Sequence, residues 1–225
     1  QEWLWGYREN DLLGGDDPYS ASKGGAELIF NSYCKSFFQD GPFIASTRAG
    51  NVIGGGDWAD DRIIPDAVRA WVKKEPVLIR SPDSTRPWQH VLEPLSGYLW
   101  LGKLLYEQSK TFSGQAYNFG PSNMDNYSVK DVLNCIKKYW NTAGWIVKND
   151  EFIAKESTLL KLSCDKATNM LGWKSILSFE ETIKITASWY KSFYDHKVND
   201  MLDYTFEQIK FYEEKGKTEN LSWAK

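Results

Sequence analysis

Strand-like and helix-like segments alternate along this chain, and that order constrains it to a mixed α/β architecture. The first long helical pattern spans about Tyr19 to Phe38, with Ala21, Ala26, Leu28, Ile29, Tyr33 and Phe37 as its apolar positions. Asp17 suits its N-cap, and Pro18 suits its first turn because proline lacks an N–H that would be unpaired there; Gly41-Pro42 stops the helix. Phe43 to Thr47 then reads as a buried strand. Arg48 to Asp57 (RAGNVIGGGD) reads as a glycine-rich loop at its carboxyl end, the edge at which open α/β sheets bind ligands.

Further helices are expected from Ile63 to Lys73, Leu92 to Tyr106, Ser128 to Trp140 with Ser128 at the cap, Cys164 to Leu171, Phe179 to Tyr194 and Tyr204 to Glu214. Short strands are expected at Val77–Arg80, Ala116–Phe119, Trp145–Val147 and Leu159–Leu162, with a turn at Ser81-Pro82-Asp83. Residues 1–17 read as an aromatic-bearing loop. Long parallel-type strands are too few for a full dinucleotide-binding sheet, and the sequence holds no GxGxxG turn followed by an acidic residue. Gly54-Gly55-Gly56 does not replace it, because no long helix starts directly after those glycines.

Charge and cysteine usage exclude several function classes. The 27 basic and 30 acidic side chains leave a net charge of -3 with no basic stripe, which gives a nucleic-acid partner little support. Cys34, Cys135 and Cys164 are scattered, form no CxxC and have no histidine at ligand spacing, so neither a disulfide framework nor a metal site is indicated. Free thiols fit a reducing compartment. The chain has no apolar run of about 18 residues, so nothing calls for a membrane. The expected setting is cytoplasmic.

The chemistry centres on Tyr19-Ser-Ala-Ser-Lys23. Spacing of i, i+4 puts Tyr19 and Lys23 on one helix face. A phenol is a poor base at neutral pH, but a neighbouring ammonium favours its anion, so such a pair exchanges a proton with a substrate hydroxyl during hydride transfer. The same spacing also fits a half-buried tyrosine beside a solvent-facing lysine. Asn51 reads equally as a turn residue bonded to its own backbone. Arg86 and Arg62 are guanidinium forks suited to a diphosphate, or surface arginines. His90 lies between aromatic and apolar residues and reads as a packed histidine with one polar partner. Trp58 and the tryptophans near the start either line a cleft or pack in the core.

Several blocks taken together carry a resemblance. Glu2-Trp-Leu-Trp-Gly-Tyr-Arg-Glu-Asn-Asp11, Asp17-Pro-Tyr-Ser-Ala-Ser-Lys-Gly-Gly-Ala-Glu27, Arg48 to Trp58, Arg86-Pro-Trp-Gln-His-Val91, Tyr117-Asn-Phe-Gly120 and Leu171-Gly-Trp173 occur in order over nearly all of residues 1–195. They resemble the extended short-chain dehydrogenase/reductase family, and within it the branch of CDP-glucose 4,6-dehydratases. The resemblance implies a partial Rossmann-like parallel sheet with a smaller, discontinuous α/β substrate-binding lobe. It also implies NAD as cofactor and CDP-glucose or a related nucleotide sugar as substrate. The implied reaction oxidises C4, expels water across C5–C6 and returns hydride to C6.

On this resemblance Tyr19 is the base at the 4-hydroxyl, Lys23 its electrostatic partner and a cofactor ribose ligand, and both contact cofactor. Asn51 and Arg86 contact substrate, with Arg62 in the same neighbourhood. A homodimer through the long helices is implied. Lys155-Glu156-Ser157 departs from an expected His-Glu-Ala.

The family's Thr–Asp–Lys acid/base element is not found in the sequence. The chain is therefore expected to be a C-terminal portion lacking the N-terminal cofactor-binding part, inactive alone and paired with a complementary N-terminal fragment. A nucleotide-sugar epimerase, another extended reductase, and a noncatalytic remnant binding a nucleotide sugar or partner chain remain the competing readings.

Overall fold

A computed structural model of the chain describes residues 5–107, 109–122, 126–140, 144–147, 159–195 and 200–225. In chain order the elements are α1 (Pro18–Phe37), β1 (Ser46–Ala49), β2 (Asn51–Ile53), α2 (Ile63–Val72), β3 (Val77–Ile79), β4 (Thr85–Arg86), β5 (Trp88–His90), α3 (Leu92–Glu107) and α4 (Ser109–Phe112). They continue with β6 (Ala116–Phe119), β7 (Tyr127–Ser128), α5 (Val129–Ile136), β8 (Trp145–Val147), α6 (Phe179–Tyr194) and α7 (Met201–Thr218).

Three strand pairs are parallel: β1 with β6, β2 with β5, and β3 with β8. The pair β4–β7 is antiparallel. This is an α/β fold with a parallel Rossmann-like core and a smaller discontinuous lobe, the architecture expected from the sequence.

Local chemistry sets the helix starts. The Asp17 carboxylate accepts from the Ser20 backbone N–H at 2.9 Å. Ser128 with Asp131 and Ser178 with Glu181 form capping boxes at the heads of α5 and α6, satisfying N–H groups that the first turn leaves free. Three buried clusters then fill the layers, the smallest made by Ile176, Leu177, Ile185, Tyr212 and Leu221. Ile64, Val68, Trp71, Val132, Leu133, Ile136, Ile183 and Tyr190 join α2, α5 and α6 across β3 and β5. Leu101, Leu104, Tyr117, Phe119, Leu171 and Trp173 join α3 to β6.

The structure corrects the expectation that the cofactor-binding part lies outside the chain. The described residues carry a Rossmann-like parallel core of their own, on which the helix bearing Tyr19 and Lys23 is set. Of the parallel-paired strands β2 and β5 escaped notice, because each is three residues long, one beside Gly54-Gly55-Gly56 and the other directly after Pro87. Thr85 to His90 holds β4 and β5 around Pro87, and a proline inside such a run argues against a strand.

The segment Arg48 to Asp57 is not one loop, since Arg48 and Ala49 finish β1 and Asn51–Ile53 form β2. Nor does β1 begin at Phe43. The Ile44 carbonyl accepts from the Gly114 N–H at 2.7 Å and the Ile44 N–H donates to Ser113 Oγ at 3.2 Å, which takes that residue out of the ladder. Cys164 to Leu171 forms a π-helical turn at Ala167–Leu171, ended by Gly172 at φ 65°.

A polar hub sits inside the lobe. Glu93 is buried at the head of α3, where its Oε1 accepts from the backbone N–H groups of Ile176 (2.9 Å) and Leu177 (2.7 Å), and its Oε2 from the Tyr212 hydroxyl (2.8 Å). Burial outweighs those three donors and pushes the Glu93 carboxyl up to about 7. Three residues away His90 is also buried; its Nδ1 accepts from the Leu92 N–H at 3.3 Å, and burial pushes the ring down to about 4.

Both groups are therefore uncharged near pH 5.5, and their linkages oppose each other. Glu93 holds its proton more tightly when folded, so its contribution falls as pH rises from about 4.5 to about 7. His90 resists protonation when folded, so its contribution is lost as pH falls from about 6.5 to about 4. Denaturant titrations are expected to show Glu93→Gln unmasking a rise of stability with pH over pH 4–6.5. His90→Asn, whose Oδ1 replaces the Nδ1 acceptor, unmasks a fall over pH 4.5–7. Each is at most about 3 kcal/mol.

Candidate functional site

The capped start of α1 places Tyr19 in the first turn and Lys23 one turn on, with Lys23 Nζ 5.4 Å from the centre of the Tyr19 ring. Tyr19 is 71% exposed. Both residues line a cleft of about 1200 Å³ bounded by α1, β1, the segment 7–16 and Leu160 and Leu162. Gly24 lets α1 approach its own entry loop, since a Cβ there would lie 3.0 Å from the Gly14 nitrogen.

The cleft floor is polar and cross-braced. Arg48 on β1 stands opposite Asn118 on β6. Arg48 Nε donates to Glu27 Oε1 at 2.8 Å, Ser46 Oγ donates to the same oxygen at 2.6 Å, and Arg48 Nη1 reaches the Glu9 carbonyl at 3.1 Å. Asn118 donates its backbone N–H to Glu9 Oε1 (2.8 Å) and its side-chain amide to the carbonyls of Tyr7 (3.0 Å) and Ser163 (3.1 Å).

Burial alone would raise the Glu27 carboxyl, but the Arg48 and Ser46 bonds outweigh it and hold the group below the ordinary carboxylate range. Burial, with the Glu9 charge adding to it, pushes both the Tyr117 hydroxyl and the Cys164 thiol up to about 12. Cys164 is thus a neutral thiol at physiological pH and no nucleophile.

The other expected site residues lie apart from this cleft lining. Asn51 opens β2 and pairs with Trp88, two residues beyond Arg86. Gly50 packs on Pro87, where a Cβ would meet Pro87 Cγ at 2.5 Å, so Asn51 and Arg86 belong to adjoining stretches. Arg86 Nη1 donates to the Thr85 carbonyl at 2.8 Å. Arg62, at the head of α2, is ion-paired with Asp57 at 2.9 Å and its side chain is 62% exposed. The structure therefore brings Tyr19 and Lys23 together, sets Asn51 near the Arg86 segment, and leaves Arg62 at the rim of the glycine-rich loop. Lys155-Glu156-Ser157 and Trp3 lie outside the described residues.

That loop is held by aromatics. Trp189 lies against Gly55, Trp58 packs edge-on to Tyr190, and the Tyr190 hydroxyl donates to the Asp57 carbonyl at 2.7 Å. Sequence reasoning did not single out Glu27, Glu9 or Asn118. Glu27 had one available signal, its position four residues after Lys23 on the same helical stripe. Among the described residues no group of acidic, histidine or cysteine side chains is arranged to hold a metal.

Over 199 residues the chain is 45% identical to CDP-glucose 4,6-dehydratase of Salmonella typhimurium, covering 85% of this chain and 55% of that protein. The chain spans about half the length of the curated relatives it matches. No family model matches it. Among solved structures it resembles Pal from Bacillus thuringiensis (TM-score 0.72, 20% identity, covering 86% of this chain and 59% of that one). It also resembles dTDP-glucose 4,6-dehydratase from Bacillus anthracis in complex with NAD (TM-score 0.66, 20% identity, covering 83% and 56%). At those identities the likeness establishes the fold.

The Gly55 contact is directly testable. A Cβ at this position would lie 2.0 Å from Trp189 Cγ, so Gly55→Ala must displace the indole. Urea titration is expected to show a loss of about 1–3 kcal/mol, the usual range for overpacking. Trp189→Leu introduced alongside should recover part of it; an unchanged midpoint for Gly55→Ala alone contradicts the packing.

Proposed function

We propose that this chain works as an NAD-dependent nucleotide-sugar 4,6-dehydratase that converts CDP-glucose to CDP-4-keto-6-deoxyglucose. The observation that carries this reading is the Tyr19–Lys23 pair, set together at the mouth of a large cleft in a chain 45% identical to such an enzyme over 199 residues.

The residues present fit the nicotinamide-ribose end of NAD. The cleft is roomy enough for a nucleotide, Lys23 offers an ammonium to ribose hydroxyls, and Gly14, Gly15 and Gly24 add no side chain of their own to its wall. NAD held there would supply the hydride acceptor for C4 of the sugar and the hydride donor for C6. Tyr19 takes the proton of the 4-hydroxyl. Lys23, one helical turn away, favours the phenolate form in which Tyr19 accepts that proton. Once C4 is a ketone the C5 proton is acidified and water leaves from C6. Asn51 and Arg86 hold the nucleotide-sugar, the guanidinium fork meeting paired diphosphate oxygens, and Arg62 serves the same neighbourhood.

The reading places the protein in the cytoplasm, in deoxysugar biosynthesis that supplies lipopolysaccharide. No helix among the described residues is long and apolar enough to cross a membrane. A homodimer through α1 and α3 belongs to the same proposal, supported by the exposure of Leu28, Ile29 and Phe37 on one helix and Leu99 and Tyr106 on the other.

Tyr19→Phe keeps the ring and removes the proton acceptor. Turnover of CDP-glucose, followed by NMR of the 4-keto-6-deoxy product, is expected to fall by about 10²–10⁴ while circular dichroism is unchanged. Preference for UDP-glucose or dTDP-glucose in direct competition rules out the cytidine assignment, and full activity of the variant rules out the role of Tyr19.

A further inference from the structure

We infer that Glu27 is the positioning residue of the Tyr19–Lys23 pair, fixing the height and rotation of α1 over β1; the functional half of this inference rests on the dehydratase reading. Positions 19, 23 and 27 form one stripe along α1, each about 40° of rotation from the last. The first two members face the cleft with their working groups, and the third is tied to the sheet. Glu27 Oε1 takes hydrogen bonds from Ser46 Oγ and Arg48 Nε, both on β1. Its side chain is only 14% exposed, and Arg48 beside it is 21% exposed.

An ordinary amphipathic helix is located by its apolar stripe. Between α1 and the sheet of its own chain that means of location is weak. Gly24 is its buried residue, whereas Leu28, Ile29, Tyr33 and Phe37 are half exposed or more. The attachment thus falls to the Gly24–Gly14 approach near its start and to the Glu27 anchor beyond it. The anchor does not end at β1. Arg48 continues to the Glu9 carbonyl, and the Glu9 carboxylate takes the Asn118 N–H on β6, so one chain of bonds runs from α1 across both strands and the entry segment that walls the cleft.

Helix geometry alone fixes Tyr19 relative to Lys23. Loss of Glu27 leaves that spacing intact and changes where the pair stands relative to a substrate held from other elements. Affinity for substrate should therefore survive while the reacting geometry suffers, because small misplacements of a reacting group are costly to the chemical step.

The test uses the whole chain as wild type, Glu27→Ala and Glu27→Gln. Gln keeps an oxygen for the Ser46 and Arg48 donors but not the charge. Hydrogen exchange read by mass spectrometry is expected to rise about tenfold or more in α1 for the Ala variant and less for Gln, with α2, α5 and α6 unchanged. In turnover of CDP-glucose, kcat should fall at least about tenfold for Ala with KM within about twofold, and Gln should recover part of it.

Protection of α1 equal to wild type, exchange rising alike in every element, or a loss borne by KM overturns the inference. If wild-type protein fails to turn over CDP-glucose, the dehydratase reading falls by itself. The exchange measurement then decides the anchor alone, selective opening of α1 supporting it and uniform protection overturning it.

Discussion

The site side of this molecule depends on Arg48 standing opposite Asn118 in the parallel β1–β6 pair. Each side chain faces a different neighbour. Arg48 turns to the carboxylate of α1 and the carbonyl of Glu9, and Asn118 turns to the carbonyls of Tyr7 and Ser163. A register slip of one residue in either strand would send its own member of the rung to the opposite face, releasing the helix if β1 slips and the entry segment if β6 does. The cleft has walls because two polar residues share one rung of a ladder. Asn118 is almost fully buried, and its amide NH2 donates to the carbonyls of residues 7 and 163, which are thereby held near each other.

The second constraint is aromatic. The stretch that follows Asn51 contains Gly54-Gly55-Gly56, which alone would leave the backbone free to wander. Trp189 occupies the space a side chain at position 55 would need, stacks on Phe193 and donates to Thr205 on α7 at 2.9 Å. Tyr190 holds the Asp57 carbonyl from the same helix. The conformation of a loop near the start of the chain is thus imposed by residues more than a hundred positions later. The glycines supply close approach and α6 supplies rigidity.

What could be read from the sequence follows the range of the responsible forces. Caps and stops act within four residues, so α1, α5 and α6 were legible from Asp17-Pro18, Ser128 and Phe179 with little error. The strands depend on distant partners and were read less well. Ile44 looks like strand but is bonded to Ser113 and Gly114, and Thr85 to His90, interrupted by Pro87, shows no strand pattern but supplies two strands. The Tyr19–Lys23 pairing was legible because it lies within one helix. The nearness of Asn51 to the Arg86 segment is a matter of register between β2 and β5, which no local pattern announces. Glu27 fell between these cases, visible as a stripe position but with partners on a strand nineteen and twenty-one residues away.

The same division explains why a tyrosine and a lysine four apart say little alone. Any helix bearing them brings them equally close, whether it faces water or a ligand, because their separation belongs to the helix. Function depends on a second separation, from the pair to whatever the cleft holds, and that distance belongs to the contacts between helix and sheet. An apolar stripe locates a helix broadly, since many nearby positions bury similar area. A carboxylate meeting a guanidinium and a hydroxyl has directional bonds and far fewer acceptable positions. A helix whose task is to present two side chains at a defined height therefore gains more from one such anchor than from additional buried leucines, and the enclosed Glu27, bonded to Ser46 and Arg48, is such an anchor.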